Sequence, residues 1–313
     1  MRARGFSRLW PSPGTPVRQV LTLAAFTWKE GVRRRMVLVG LVLTLVFVVL
    51  YGLGGYFAFR HQGDLNFGNG PVSARQALTD AALRLLLRQV AAYVLLSLGL
   101  FMASVLTVTM MVFSASGMIS GDAENGTLQT IVTRPVARYQ LLLGRYLGFA
   151  SIFLAYLVVL TGLLIGLTRG FSGFSPPAAV QAVGLIALQG LILLALASLG
   201  STLLPPLATG ILVFMGYGVA FIAGVVGQVG SLLANHTAGT IATVVSFVIP
   251  SDLLFRGGLH GLSPAIPSAV ADLITAGPFG SASAVSGPML VYCFGYLVVI
   301  LALACRLFAR KDL

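Results

Sequence analysis

Residues 170–173, GFSG, have the spacing in which a serine hydroxyl can act as the nucleophile of a hydrolase, and residues 114–117, SASG, are a second, partial match. A nucleophilic serine needs a histidine base within hydrogen-bonding distance. However, His61, His236 and His260 all fall in segments that we expect to lie outside the apolar helices. Because the chain contains 37 glycines, such matches are expected by chance. An intramembrane serine protease is therefore a minor alternative.

The residue types also argue against a metal site and against a nucleotide-binding site. The eight Asp and Glu residues form no cluster with His or Cys, so the sequence predicts no metal site and no catalytic acid or base. A phosphate-binding loop needs a lysine directly after glycines, but the chain has Lys29 in FTWKEG and Lys311 in FARKDL. If ATP drives this protein, another polypeptide must bind the nucleotide.

The elements that carry these residues are predominantly apolar. The chain has 57% hydrophobic residues, 9% charged residues and a mean hydropathy of +0.95, which indicates an integral membrane protein. Apolar runs long enough to cross ~30 Å of hydrocarbon occur at about 36–59, 90–118, 146–167, 180–199, 208–226 and 288–307. Because these runs lack the alternation of a barrel strand, they predict an all-α protein with six transmembrane helices.

Charge predicts the orientation of these spans. If the N-terminus is cytoplasmic, most of the 20 Lys and Arg residues precede span one, lie in the loop 119–145 or follow span six. The positive-inside rule therefore places both termini in the cytoplasm and segments 60–88 and 227–287 outside. Since the cations flank spans and do not form one basic face, we expect them to contact anionic lipid headgroups, not nucleic acid.

The predicted spans contain no Asp, Glu, Lys or His, and their one Arg is Arg306, next to the last residue of the sixth run. Ion-coupled pumps usually need an ionisable group at membrane depth, so an ion-coupled transporter is a weaker alternative. Carbonyl or hydroxyl sites for Na⁺ stay possible.

Two further segments have recognisable patterns. Residues 17–35 place apolar residues on one helical face and basic residues on the other, as in a helix that lies in the headgroup layer. Within segment 227–287, the apolar run 240–249 is too short to cross the membrane. We expect this segment to form a re-entrant or a surface-lying helix pair, whose irregular backbone must be covered by protein.

The longest polar island between apolar segments covers residues 119–148. Asp122 and Glu124 precede a short helix that begins near Thr127, where negative charge favours the helix N-terminus. Leu128 and Ile131 then form one apolar face, and Pro135 fixes the following turn. Arg134, Arg138 and Arg145 are expected to contact headgroups or acidic groups of a partner.

Residues 121–148, GDAENGTLQTIVTRPVARYQLLLGRYLG, resemble the cytoplasmic loop of ABC-2 type transporter permeases. In that loop, an acidic-x-x-Gly-Thr-Leu segment precedes a Ser/Thr-Arg-Pro turn and a second helix that ends in Gly-Lys/Arg. Residues 29–35, residues 246–255 (SFVIPSDLLF) and the terminal FARKDL are similar to the same family. The resemblance implies one ABC-2 membrane domain over residues 1–313, with a type V exporter-like permease fold, an N-terminal interfacial helix and a cytoplasmic coupling helix.

In that family the short helix of this loop docks into a separate ABC ATPase, which binds ATP and Mg²⁺, and the permease itself holds no cofactor. The resemblance implies a permease of the bacterial inner membrane that pairs with a second permease chain, as a homodimer or a heterodimer, around a pathway lined by spans two and five. It assigns contact with the ATPase to Asp122, Glu124, Gly126, Thr127, Leu128, Ile131, Arg134, Pro135 and Arg138. It assigns the interfacial helix to Lys29, Glu30, Arg33, Arg34 and Arg35.

Transport, most simply export, is the function that this resemblance implies. An alternative keeps the same fold but changes the task, so that the chain hands ATP-driven motion to a periplasmic maturation partner without moving a solute. The sequence does not identify the substrate.

Overall fold

A computed structural model describes residues 16–32, 35–60, 74–118, 138–233, 236–263 and 284–310. Every regular element in these ranges is an α-helix, and six of the helices are long and apolar enough to cross a membrane. The prediction of an all-α membrane protein with six spans is confirmed.

The helices follow one another with short breaks. They are α1 Pro16–Val32, α2 Arg35–Arg60, α3 Ala74–Ser116, α4 Arg138–Ser172, α5 Ala179–Leu203, α6 Pro206–Leu232, α7 His236–Val248, α8 Ser251–Leu262 and α9 Gly287–Arg310. The candidate spans one to six lie in α2, α3, α4, α5, α6 and α9. Pro206 occupies the first turn of α6, where proline lacks only an N–H that has no helical partner, so the chain turns tightly after α5.

Two spans are longer than their apolar runs. The 43 residues of α3 correspond to roughly 64 Å at 1.5 Å per residue, about twice the hydrocarbon thickness. Helix α4 begins at Arg138 and not at the predicted Tyr146. Both differences have one reason: an apolar run reports the length that lies in lipid, whereas the helix continues into its polar flanks.

Span four is the centre of the bundle. Helix α5 packs against α3, α4, α6, α8 and α9, and 67% of its most apolar window is buried. Its Ile192, Leu193 and Leu194 are completely buried. Spans one and six lie at the periphery, with 17% and 11% of the corresponding windows buried.

Hydrogen bonds identify the two ends of the bundle. At the end that carries α1, Arg138 at the start of α4 donates to the Ala309 carbonyl near the end of α9. At the opposite end, which we call the far end, Arg88 of α3 donates to the Phe171 carbonyl at the end of α4 (2.9 Å). Helix α6 ends and helix α9 begins at the far end.

Helices α7 and α8 form a pair bent by 102°. Positions along α6 show its path: Gly227, late in α6, faces Ala242 of α7, and Gly216, near the middle of α6, faces Ile249 at the bend. Helix α8 then returns, since its Gly258 faces Ala182 and its Gly261 faces Ala178, at the start of α5. The pair therefore enters from the far end, reaches the middle of span five and returns to the same end, which is a re-entrant path.

The bend of this pair exposes helix-terminal carbonyl groups that need hydrogen-bond donors. Two tyrosines of span six supply them: Tyr292 donates to the carbonyl of Phe247, and Tyr296 donates to that of Val248 at 2.7 Å. Irregular backbone at membrane depth is tolerated where protein satisfies it. These two hydroxyl groups provide that cover.

Candidate functional site

Most of the predicted ATPase-contact residues lie outside the described part of the chain. These are Asp122, Glu124, Gly126, Thr127, Leu128, Ile131, Arg134 and Pro135, together with Arg33 and Arg34 of the predicted interfacial helix. Their roles stay predictions.

Four predicted site residues fall within helices. Lys29 and Glu30 belong to the last turns of α1, and Arg35 is the first residue of α2. Arg138 is the first residue of α4, and its bond to Ala309 connects the start of span three to the end of span six. Of these four residues, Arg138 is the one that lies within the polar island.

Arg145 differs from the sequence-based expectation. We expected it in a loop, in contact with headgroups or with acidic groups of a partner, but it lies inside α4 and is 8% exposed. Its guanidinium donates to the backbone carbonyl of Met118, in the turn that follows α3. The last carbonyls of a helix lack helical partners and carry partial negative charge, so a cation there is favourable.

Helix α1 packs closely on the same part of α4. A Cβ added at Gly144 would lie 2.6 Å from the Cβ of Leu23 and 3.1 Å from the Val20 carbonyl oxygen. One turn later, a Cβ at Gly148 would lie 2.5 Å from Thr27 and 2.9 Å from the carbonyl oxygen of Ala24. The two backbones thus touch where α4 has glycine at four-residue spacing.

Sequence reasoning missed this contact although its signal was present. Residues 144–148, GRYLG, are a G-x-x-x-G pattern, which is typical of close helix packing in membranes. The two glycines lie at the end of the polar island, where the sequence alone favours an exposed loop over a helix contact. As a result, α1 and the start of α4 form one packed unit directly beside the island.

A second polar site lies at the far end, between α6, the α7–α8 pair and the residues before α9. It is a cavity of about 560 Å³, which we call the far-end cavity. Ser231, Thr243, Ser246 and Ser286 contribute hydroxyl groups to its lining, and Asp252 and Arg256 contribute charges.

The charged residues of the far-end cavity form a bonded group. The Nε of Arg256 donates to the Oδ2 of Asp252 (2.6 Å), and its Nη1 donates to the Oε1 of Gln228 on α6. Asp252 is only 5% exposed. A Cβ at Gly224 would overlap the Asp252 carboxylate, so the glycine gives the ion pair access to the surface of α6.

This ion pair corrects the sequence analysis on one point. From the sequence we expect segment 227–287 to lie outside and to form a re-entrant or a surface-lying helix pair, with no contact assigned between Asp252 or Arg256 and a span. The re-entrant path brings Asp252 and Arg256 against span five instead. The sequence pattern that could have indicated this ion pair is SDLLFR, in which Asp252 and Arg256 stand four residues apart on one helix face.

Catalytic chemistry has little to build on in the described residues. No group of three or more His, Cys, Asp or Glu there could hold a metal ion. The hydroxyl of Ser172 donates to the Thr168 carbonyl (2.6 Å) and accepts from the Phe174 amide (3.0 Å). Ser172 thereby ends α4, just before Gly173 takes a φ of 71°.

Comparison with known proteins adds one family. The family model described as ABC-2 family transporter protein matches residues 21–313. No curated protein sequence matches the chain. The family match covers every described helix from within α1 to α9.

Proposed function

This chain belongs to the ABC-2 family of transporter proteins, and from that premise we propose that it exports a substrate by using the motion of a separate ATPase subunit. The family membership makes it a multi-pass permease subunit of an ABC transporter that associates with an ABC ATPase and the membrane. Direction, coupling residues and orientation are the proposed part.

The observation that carries the proposal is the anchoring of both flanks of the polar island. Arg145 of α4 bonds to Met118, the residue directly before the island, and so joins the two spans that the island connects. Helix α1 is packed against the same turns of α4 through Gly144 and Gly148. A force applied to residues 119–137 by an ATPase would therefore act on spans two and three together, and not on a loosely attached loop.

The energy source follows from the two lysines. Neither Lys29 nor Lys311 stands in a phosphate-binding loop, so the partner ATPase binds ATP and Mg²⁺ in this proposal. The α1 end of the bundle then faces the cytoplasm, where the ATPase works, and the far end faces out, in agreement with the distribution of Lys and Arg.

A second permease chain completes the proposed transporter, as a homodimer or a heterodimer. Span five leaves large apolar residues exposed, among them Leu212, Met215, Val219 and Ile222. Lipid or a second chain must cover such a face in the membrane. Pairing through spans two and five would place the translocation pathway between the two chains.

The test is to purify the full chain alone and together with the ATPase that co-purifies with it. We expect no ATP hydrolysis by the chain alone and ATP hydrolysis by the complex, with ATP-dependent uptake of substrate into inverted membrane vesicles. Hydrolysis by the chain alone would refute the assignment. An ATPase-bound complex that moves substrate only into right-side-out vesicles would replace export by import.

A further inference from the structure

The far-end cavity has the dimensions and the chemistry of a ligand site. Its volume of about 560 Å³ falls within the ~300–1,000 Å³ that is usual for small-molecule pockets. Its walls come from four separate elements, and a Cβ at Gly239 on its wall would meet open space. A packed core would have filled this volume with apolar side chains.

The charges on its wall are opposite and adjacent. Asp252 and Arg256 are the charged side chains that the described residues contribute to the lining. The Oδ1 of Asp252 is buried, and no donor within the described residues bonds to it. A buried carboxylate oxygen without a donor is costly, so this atom marks a place for a hydrogen-bond donor from a ligand.

We propose that the far-end cavity binds a net-neutral zwitterionic group that carries a primary ammonium and a phosphodiester, as in a glycerophosphoethanolamine headgroup. The ammonium lies against Asp252 and also donates to hydroxyl groups such as those of Ser246 and Thr243. The phosphate lies against Arg256, whose planar guanidinium suits phosphate oxygens.

Charge balance favours a zwitterion over an ion of one sign. In the empty cavity the carboxylate and the guanidinium neutralise each other. A simple cation or anion would leave a net charge in a mostly buried site, which is unfavourable. A bound zwitterion replaces the Asp252–Arg256 ion pair by two pairs, one between its ammonium and Asp252 and one between its phosphate and Arg256. The net charge of the site stays the same.

Two sources could supply this group: the headgroup of a membrane phospholipid or a soluble metabolite. The cavity lies beside a re-entrant helix pair in a lipid-embedded bundle, so both can approach it. The chemistry is the same in both cases, and the experiment separates them.

The inference goes beyond the proposed coupling function and is tested without the ATPase. The full chain is purified in nanodiscs of phosphatidylglycerol, which has no ammonium group. Binding of sn-glycero-3-phosphoethanolamine is measured by isothermal titration calorimetry, with sn-glycero-3-phosphoglycerol as the phosphodiester of similar size that has no ammonium. In a second arm, retention of phosphatidylethanolamine by the chain is measured by native mass spectrometry.

We expect the zwitterion to bind the wild type at least tenfold more tightly than sn-glycero-3-phosphoglycerol. Asp252→Asn keeps the side-chain volume and should remove this preference. Arg256→Gln should weaken binding of both compounds at least tenfold. Arg169→Gln removes an arginine exposed on α4 and should change nothing, which makes it the matched control.

Each outcome has one meaning. Binding in both arms assigns a lipid headgroup as the natural occupant, and binding of the soluble compound alone assigns a soluble zwitterion. Retention of the lipid alone supports the same chemistry if Asp252→Asn abolishes it. Absence of binding in both arms, or equal preference in wild type and Asp252→Asn, overturns the proposal while leaving the ATPase coupling untouched.

Discussion

The guanidinium of Arg145 in span three donates a hydrogen bond to the backbone carbonyl of Met118, which follows the last turn of span two. Met118 directly precedes the polar island, and Arg145 lies near the end of the island, 27 positions later in sequence. Their bond ties the residue that precedes the island to helix α4, which contains the end of the island. In the proposed mechanism, this contact would divide a push on the loop between spans two and three.

Replacing Arg145 by Met should therefore separate the two ends of the loop. A hydrogen bond to a charged group contributes about 1.5–3 kcal/mol, and we expect a loss of thermal stability of that order with a decrease in transport-coupled ATP hydrolysis. Arg145→Lys keeps the charge but replaces the planar guanidinium by a single ammonium group. It should therefore retain part of the thermal stability and part of the ATP hydrolysis. Arg169→Met, at the exposed opposite end of α4, is the control and should behave as the wild type.

Gly148→Ala should disrupt the packing of α1 on span three. The added Cβ would lie 2.9 Å from the carbonyl oxygen of Ala24, which is backbone and cannot rotate away. Overpacking of this kind costs about 1–3 kcal/mol. Thermal unfolding of the purified chain measures the effect, and reduced co-purification of the ATPase should accompany it.

Gly162→Ala is the matched control for this change, because a Cβ at Gly162 on the same helix meets nothing within 4 Å. Alanine is the better helix former by up to about 1 kcal/mol, so this variant should be as stable as the wild type or slightly more stable. Equal unfolding temperatures for the two variants would mean that α1 does not pack on span three in the membrane.

The tyrosines at the re-entrant bend give a third prediction. Tyr292→Phe and Tyr296→Phe each remove one donor to a carbonyl at the end of α7, at a cost of about 1–3 kcal/mol if the carbonyl stays unsatisfied. We expect faster amide hydrogen exchange in both variants at Ile249, whose N–H donates to the Val245 carbonyl in the last turn of α7. Tyr139→Phe, at an exposed position of α4, is the control and should leave exchange at the bend unchanged. Unchanged exchange in Tyr292→Phe and Tyr296→Phe would mean that water replaces the two hydroxyl groups at these carbonyls.

The sequence was sufficient for the number and type of the membrane helices because one physical quantity controls both. A helix must bury about 20 apolar residues to cross the hydrocarbon, and each of the six runs meets that length. Helix ends were less accurate: α4 continues through Gly144 and Arg145, since a helix can leave the lipid without ending.

The ion pair at Asp252 and Arg256 could not be placed from the sequence alone. Residues 240–249 are too short to span, and this length is equally compatible with a surface helix and a re-entrant one. What distinguishes them is a set of distant contacts, from Ile249 to Gly216 and from Tyr296 to Val248. Such contacts depend on how helices pack, which local apolar patterns do not specify.

The orientation of the chain is a fourth prediction, based on the positive-inside distribution of Lys and Arg. With Cys293 and Cys305 replaced by alanine, Thr127→Cys should react with a membrane-impermeant maleimide only after the cells are permeabilised. Leu233→Cys, at an exposed site at the far end, should react in intact cells. The reverse pattern would invert the proposed orientation.

The last prediction concerns Leu128, which the sequence places on the apolar face of a short helix in the polar island. Leu128→Asp puts a charge on the surface expected to dock into the ATPase, where an unpaired buried charge costs several kcal/mol. Because no membrane span is altered, the variant should insert normally and reach wild-type abundance. Co-purification of the ATPase and substrate transport should then fall together. Gln129→Asp adds the same charge about 100° away around the helix and should leave both values nearly unchanged. If Leu128→Asp retains wild-type coupling, or if both variants lose it equally, the island contacts the ATPase through another face or serves only as a solvated connection between spans two and three.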